Sequence, residues 1–121
     1  MTQHLTLAGV KAKAIEYYNA GKLTAQDPGI GCLYSSREMT CRCAIGASLS
    51  EETLKEVFEA HVNYKKINSL REKKIISYSD SEHLELTFIQ MAHDRWCRKA
   101  MDHLDDEAEA ARKIFVALLE D

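Results

Sequence analysis

The residue types best suited to chemistry sit in one short segment and one helical turn. Cys32, Cys41 and Cys43 form the pattern Cys-x8-Cys-Arg-Cys, and Cys97 follows His93 at a spacing of four. Thiolate and imidazole bind soft metals, and as nucleophile and base they attack carbonyls. On a strand, Cys41 and Cys43 share a side, and Cys32 on a partner strand could face them. On a helix, His93 and Cys97 project from one face. If that face meets the cysteine segment, Cys32, Cys43, His93 and Cys97 become a four-ligand set, with zinc as the first metal to consider. The spacing differs from the tight Cys-x2-Cys knuckle, which weighs against a zinc site. A second reading makes Cys32 or Cys43 a nucleophile, His93 its base and Asp94 or another acid the orienting group. Asp94, however, adjoins His93 and projects about 100° away around a helix, and no thiol-hydrolase signature surrounds any of the cysteines. The third reading makes the thiols small buried apolar groups and His93 a core histidine, bonded to backbone or to a side chain such as Tyr34. The sequence favours this third account, and with it no cofactor.

Other constellations are thinner. His83 with Glu82 and Glu85 reads as a solvated helix face. His93-Asp94 lacks the further ligands of a metal-dependent phosphohydrolase. Gly29-Ile30-Gly31 has no third glycine and leads into no helix, so it is not a phosphate loop.

Charge is uneven along the chain. Residues 64–76 carry Lys65, Lys66, Arg71, Lys73 and Lys74 against Glu72, whereas residues 102–109 carry Asp102, Asp105, Asp106, Glu107 and Glu109. Solvated surface is the simpler reading of both. If either is a partner footprint, its residues are Lys65, Lys66, Arg71, Lys73 and Lys74 on one side and Asp105 and Asp106 on the other. Arg95, Arg98 and Lys99 extend the basic character, and Tyr64 and Tyr78 flank the segment as aromatics that could stack on bases. The net charge of −3 argues against nucleic acid as the sole partner.

The elements that must position these residues are mostly helices. Leu7, Val10, Ala14 and Tyr17 recur at helical steps within residues 6–20, and Gly21 suits a helix end. Gln26-Asp27-Pro28-Gly29 reads as a turn. Residues 30–46 are β-compatible around Ser35-Ser36-Arg37-Glu38, which predicts a small hairpin. Ser48 or Ser50 caps a second helix with the inward row Leu54, Val57, Phe58, His61 and Val62. Ser69 opens a shorter one. The longest helix, over residues 81–103, has two apolar rows: Leu84, Phe88, Met91 and Trp96; and Leu86, Ile89, His93, Cys97, Ala100 and Leu104. This width predicts a central helix. Asp105 or Asp106 caps the last helix, with Ala108, Ala111, Phe115 and Leu118 inward. The fold class predicted is α+β and predominantly helical, with about five helices and one hairpin near residues 30–46.

With 45% apolar residues, the 121-residue chain fits one globular domain over residues 1–121. No apolar run approaches a bilayer span, and the first residues lack a signal-peptide pattern. These features favour a cytoplasmic protein with free thiols and no membrane partner.

Three segments together carry a resemblance: Gly31-Cys32-Leu33-Tyr34, Cys43-Ala44-Ile45-Gly46 and Gln90-Met91-Ala92-His93-Asp94-Arg95-Trp96. The chain resembles a group of small uncharacterised proteins of bacteriophages, prophages and bacteria that carry Cys-x-Tyr, Cys-Ala-Ile/Val-Gly and Gln-x-x-His-Asp segments. After Gly46 it departs from the group, with Ala47-Ser48-Leu49-Ser50 where those proteins often read Cys-Leu-Ile-Pro-Asp. The resemblance implies a phage or prophage setting, hence the bacterial host cytoplasm, and draws attention to Cys32, Cys43 and His93. With no catalytic signature, the expectation is an accessory protein that binds a host protein or complex, as an inhibitor of a defence system, rather than an enzyme. The alternatives are a zinc-supported binding module and a Cys/His thiol enzyme.

Overall fold

The computed structural model describes residues 2–27, 29 and 31–120. Among these, five α-helices and one two-stranded sheet make a predominantly helical α+β fold. β1 (Gln3–His4) leads into α1 (Leu7–Asn19), α2 (Glu51–Glu59) and α3 (Ile67–Glu72). β2 (Ile76–Ser77), α4 (His83–Met101) and α5 (Asp105–Glu120) follow, with short 3-10 turns at Thr24–Gln26, Gly46–Ser48 and Asp80–Glu82.

Two helix starts, those of α1 and α2, are set by side-chain caps. The Thr6 side chain accepts from Gly9 N–H ahead of α1, and Ser50, not Ser48, accepts from Thr53 N–H ahead of α2. α3 begins before Ser69, with Lys66 at its cap position and no side-chain cap bond. Four helices end on a residue in the left-handed region: Gly21 (φ 70°), His61 (56°), Lys74 (60°) and His103 (57°). The following N–H groups of Lys22, Val62, Ile75 and Leu104 reach back to the carbonyls of Tyr17, Val57, Leu70 and Lys99. This is the Schellman closure, here made three times without glycine. It stops α2 before His61, which is exposed rather than part of the inward row.

The strands are not where the sequence places them. Gln3 and His4 pair in parallel with Ile76 and Ser77. The expected hairpin is reduced to a single antiparallel bridge, Ser35 to Arg42, because Arg42 also bridges in parallel to Leu23. Ser36 N–H donates to Cys41 carbonyl and Cys43 N–H to Tyr34 carbonyl, so the chain does fold back, without a strand on either arm. The turn expected at residues 26–29 includes Pro28, which lies outside the described residues.

The core has two lobes joined by α4. One gathers Leu5, Val10, Tyr34, Cys43, Ile45, Leu54, Ile67, Ile76 and Leu86 around α2, α3 and the sheet. The other gathers Ala14, Leu23, Ile89, Trp96, Cys97, Ala111 and Phe115 where α5 packs along α4. Each of the two apolar rows of α4 is covered only in part: Trp96 of the first is buried, and Leu104 of the second is 43% exposed. Leu86, Ile89, His93 and Cys97 are at most 2% exposed, whereas Leu84, Phe88 and Met91 are 61%, 47% and 60% exposed. On α5 the deepest C-terminal residue is Leu119 rather than Leu118. No helix among the described residues is long and apolar enough to cross a membrane.

Candidate functional site

The three resemblance segments meet in space. Tyr34 is fixed at both ends: its carbonyl accepts from Cys43 N–H (3.2 Å) and its hydroxyl accepts from Gln90 Nε2 (2.8 Å). Gln90 Oε1 in turn accepts from Ile67 N–H (3.1 Å), so one buried amide ties α4 to the cysteine segment and to the start of α3. Gly46 packs so closely on Tyr34 that a Cβ there would lie 1.8 Å from the Tyr34 carbonyl oxygen. Sequence reasoning did not single out Gln90 for this role, and a lone glutamine in an apolar helix was the signal available. Arg42 was missed too. It is buried, lies 5.6 Å over the Tyr17 ring, and donates to the Leu49 carbonyl at 2.7 Å.

His93 is a core histidine. Ala25 N–H donates to its Nε2 (3.3 Å), which also lies 3.3 Å from Thr24 Oγ1. That nitrogen therefore presents its lone pair, leaving Nδ1 to donate to Asp94 Oδ1 at 3.2 Å. The adjacent acid, whose position on the helix argued against it, does reach the ring. Trp96 and Phe115 stand edge-on to the imidazole, at 6.2 and 5.7 Å between centroids. Neither nitrogen is left over for a metal or for a thiol's proton.

Cys43 and Cys97 lie in different lobes of the core. Cys43 is buried in the first lobe, its sulfur accepts from Gly46 N–H (3.2 Å), and burial pushes its thiol up to about 12. Cys97 is buried in the second lobe. Among the described residues no group of three or more His, Cys, Asp or Glu side chains is arranged to hold a metal ion. The set Cys32, Cys43, His93 and Cys97 is thus not assembled as zinc ligands, and the thiol–imidazole dyad is not formed.

What the structure builds instead is a groove. A hollow of about 870 Å³ runs between residues 64–68 and the outer side of α4, reaching Asp102 just past the helix end, with Cys32 in its wall. Its charged lining is Lys65, Lys66, Arg95, Arg98 and Lys99 against Asp94 and Asp102. Arg95, Arg98 and Lys99 share one face of α4 by their three- and four-residue steps, and the loop into α3 brings Lys65 and Lys66 opposite. Lys99 is partly neutralised by Glu107 at 2.9 Å. Of the other predicted footprint residues, Arg71 is spent internally, on the Tyr78 carbonyl, the Tyr78 ring and Asp80. Lys73 and Lys74 are exposed at the far end of α3 and do not line the groove. Asp105 and Asp106 occupy the first turn of α5, where acids favour the helix dipole.

Cys32 differs from the other thiols. Its sulfur donates to the Asp94 carbonyl at 3.8 Å and faces the groove. The neighbouring Cys97 thiol and then Arg98 stabilise its thiolate more than burial and Asp94 oppose it, so its pKa falls below that of an ordinary thiol. Iodoacetamide near neutral pH is therefore expected to label Cys32 well before Cys43. Cys97→Ala, which removes the stabilising thiol, is expected to raise the Cys32 pKa and slow that labelling. Peptide mapping of the alkylated sites checks both.

Compared with protein-family models, with curated proteins and with solved structures, the chain gives no match.

Proposed function

We propose that the protein acts by binding, and that the groove between residues 64–68 and α4 receives an acidic segment of a partner protein. The observation that carries this reading is a cluster of five cations, one of them (Lys99) paired with Glu107 and the set opposed by Asp94 and Asp102, on a chain whose net charge is −3. Such a patch steers and holds negative charge locally while the rest of the molecule repels a long polyanion. Beside it, Tyr64, Leu84, Phe88 and Met91 are exposed large apolar side chains. Cations next to uncovered apolar surface that includes aliphatic and thioether side chains suit an acidic segment that also carries leucine or aromatic residues better than they suit a nucleic acid, which stacks on aromatic rings. A host protein or complex, the partner expected of a phage setting and a chain without a catalytic signature, would be met through such a segment, and its occupation would make this protein an inhibitor.

The test uses two probes of matched charge: a fluorescent acidic peptide with interspersed leucine and phenylalanine, and a single-stranded oligonucleotide. The peptide is expected to bind, to lose affinity as salt rises, and to lose on the order of tenfold or more with Arg95→Glu/Arg98→Glu. Binding of the oligonucleotide alone, or peptide binding indifferent to the reversals in a folded variant, overturns the proposal.

A further inference from the structure

Cys32 and Cys97 are far apart in sequence, and α4 brings them to one lobe of the core. Helical side chains lean toward the helix N-terminus, so Cys97 covers the turn that begins near Asp94. The Cys32 sulfur is hydrogen-bonded to the carbonyl of that same Asp94 and packs against the lobe that contains Cys97. One member of the pair faces the groove, while the other is fully buried, with its sulfur near the Thr24 carbonyl (4.0 Å) and Met101 Sδ (3.9 Å). Cys41 does not line the groove, and Cys43 sits in the other lobe. The arrangement is that of a partly exposed thiol backed by a buried one.

We propose that Cys32 and Cys97 are a dithiol oxidised by hydroperoxides, with Cys32 as the reacting thiol and Cys97 as the resolving one. The Cys32 thiolate attacks one peroxide oxygen and the O–O bond breaks. The departing hydroxide takes up a proton and leaves as water, and Cys32 becomes a sulfenic acid. The Cys97 thiol gives up its proton and attacks the Cys32 sulfur, displacing the hydroxyl group as a second water and forming the disulfide. Two thiols and one hydrogen peroxide thus give one disulfide and two waters, and an external thiol reverses the change. The environment supports the role of Cys32 as the thiol that reacts first: its thiolate is stabilised by Cys97 and Arg98. The inference does not depend on what the groove binds.

The experiment treats the intact protein with a slight excess of hydrogen peroxide. Free thiols are then counted, and the peptides are mapped without reduction. The expected result is loss of two of the four thiols, a Cys32–Cys97 cross-linked peptide, and full recovery with dithiothreitol. Cys97→Ser is expected to stop at a sulfenic acid on Cys32 that dimedone traps. Cys32→Ser, a change at a partly exposed site, is expected to leave the buried Cys97 unoxidised. Retention of all four thiols overturns the proposal. So does a disulfide to Cys41, a disulfide between two molecules only, or thiol loss in Cys32→Ser equal to that of the unaltered protein.

Discussion

Replacing Gly46 by alanine is expected to cost the fold about 3 kcal/mol or more, although the change adds one methyl group. The added Cβ would lie 1.8 Å from the Tyr34 carbonyl oxygen and 2.8 Å from its carbonyl carbon. These are backbone atoms, so no side-chain rotation relieves the clash. Either the Gly46–Ser48 turn or the segment around Tyr34 must move. Movement of Tyr34 weakens its bond from Cys43 N–H and draws its hydroxyl away from Gln90, which also holds the start of α3. The disturbance would therefore spread from one turn to three elements. Gly21 supplies the contrast: it has φ +70° and no atom within 4 Å of where a Cβ would stand, so Gly21→Ala carries only the conformational cost, about 1 kcal/mol. Urea denaturation of both variants measures the difference. Equal, small losses would mean that the close approach at Gly46 does not constrain the fold.

Replacing His93 by alanine is expected to cost about 3–5 kcal/mol, in the range for losing a buried aromatic ring. The ring is fully buried between Trp96 and Phe115, so its removal leaves a cavity in the second lobe. It also leaves Ala25 N–H without its acceptor and Asp94 without its donor. Against a total stability of about 5–15 kcal/mol for a domain, this loss alone could unfold the protein. His93→Phe separates the two contributions, because it refills the volume but still strands the Ala25 N–H. It is expected to recover part of the loss while remaining about 1–3 kcal/mol below the unaltered protein. Full recovery would show that the imidazole nitrogens contribute nothing to the fold. A loss below about 1 kcal/mol for the alanine variant would contradict the core assignment itself.

These two residues also show what could be read from the sequence. The inward row Leu86, Ile89, His93 and Cys97 follows from helical spacing, and so does the reading of His93 as a core residue. Which members of the two apolar rows of α4 stay uncovered (Leu84, Phe88 and Met91 in one, Leu104 in the other) does not follow, because it depends on how many neighbours pack on the helix. The starts of α1 and α2 are legible in Thr6 and Ser50. Their ends are legible only at Gly21, since His61, Lys74 and His103 adopt the same left-handed closure without glycine to mark it. The parallel pair of β1 and β2 has two residues per strand and partners more than seventy positions apart, so neither alternation nor a turn announces it. Over residues 30–46 the β-compatible side chains suggest a full hairpin, because they do not reveal that Arg42 divides its backbone bonds between two neighbours. Half of the groove is visible as Arg95, Arg98 and Lys99 on one helical face. Its other half, and the exclusion of Arg71, Lys73 and Lys74 from it, arises from the path of the chain into α3.

The most direct test of the groove assignment is amide chemical-shift mapping of the folded protein on titration with the acidic leucine- and phenylalanine-containing peptide. The account predicts saturable shifts concentrated at residues 64–68 and 91–99, abolished by Arg95→Glu/Arg98→Glu and weakened by salt. Shifts centred on Lys73 and Lys74 or on the first turn of α5, or none at all at peptide concentrations in the millimolar range, would contradict it.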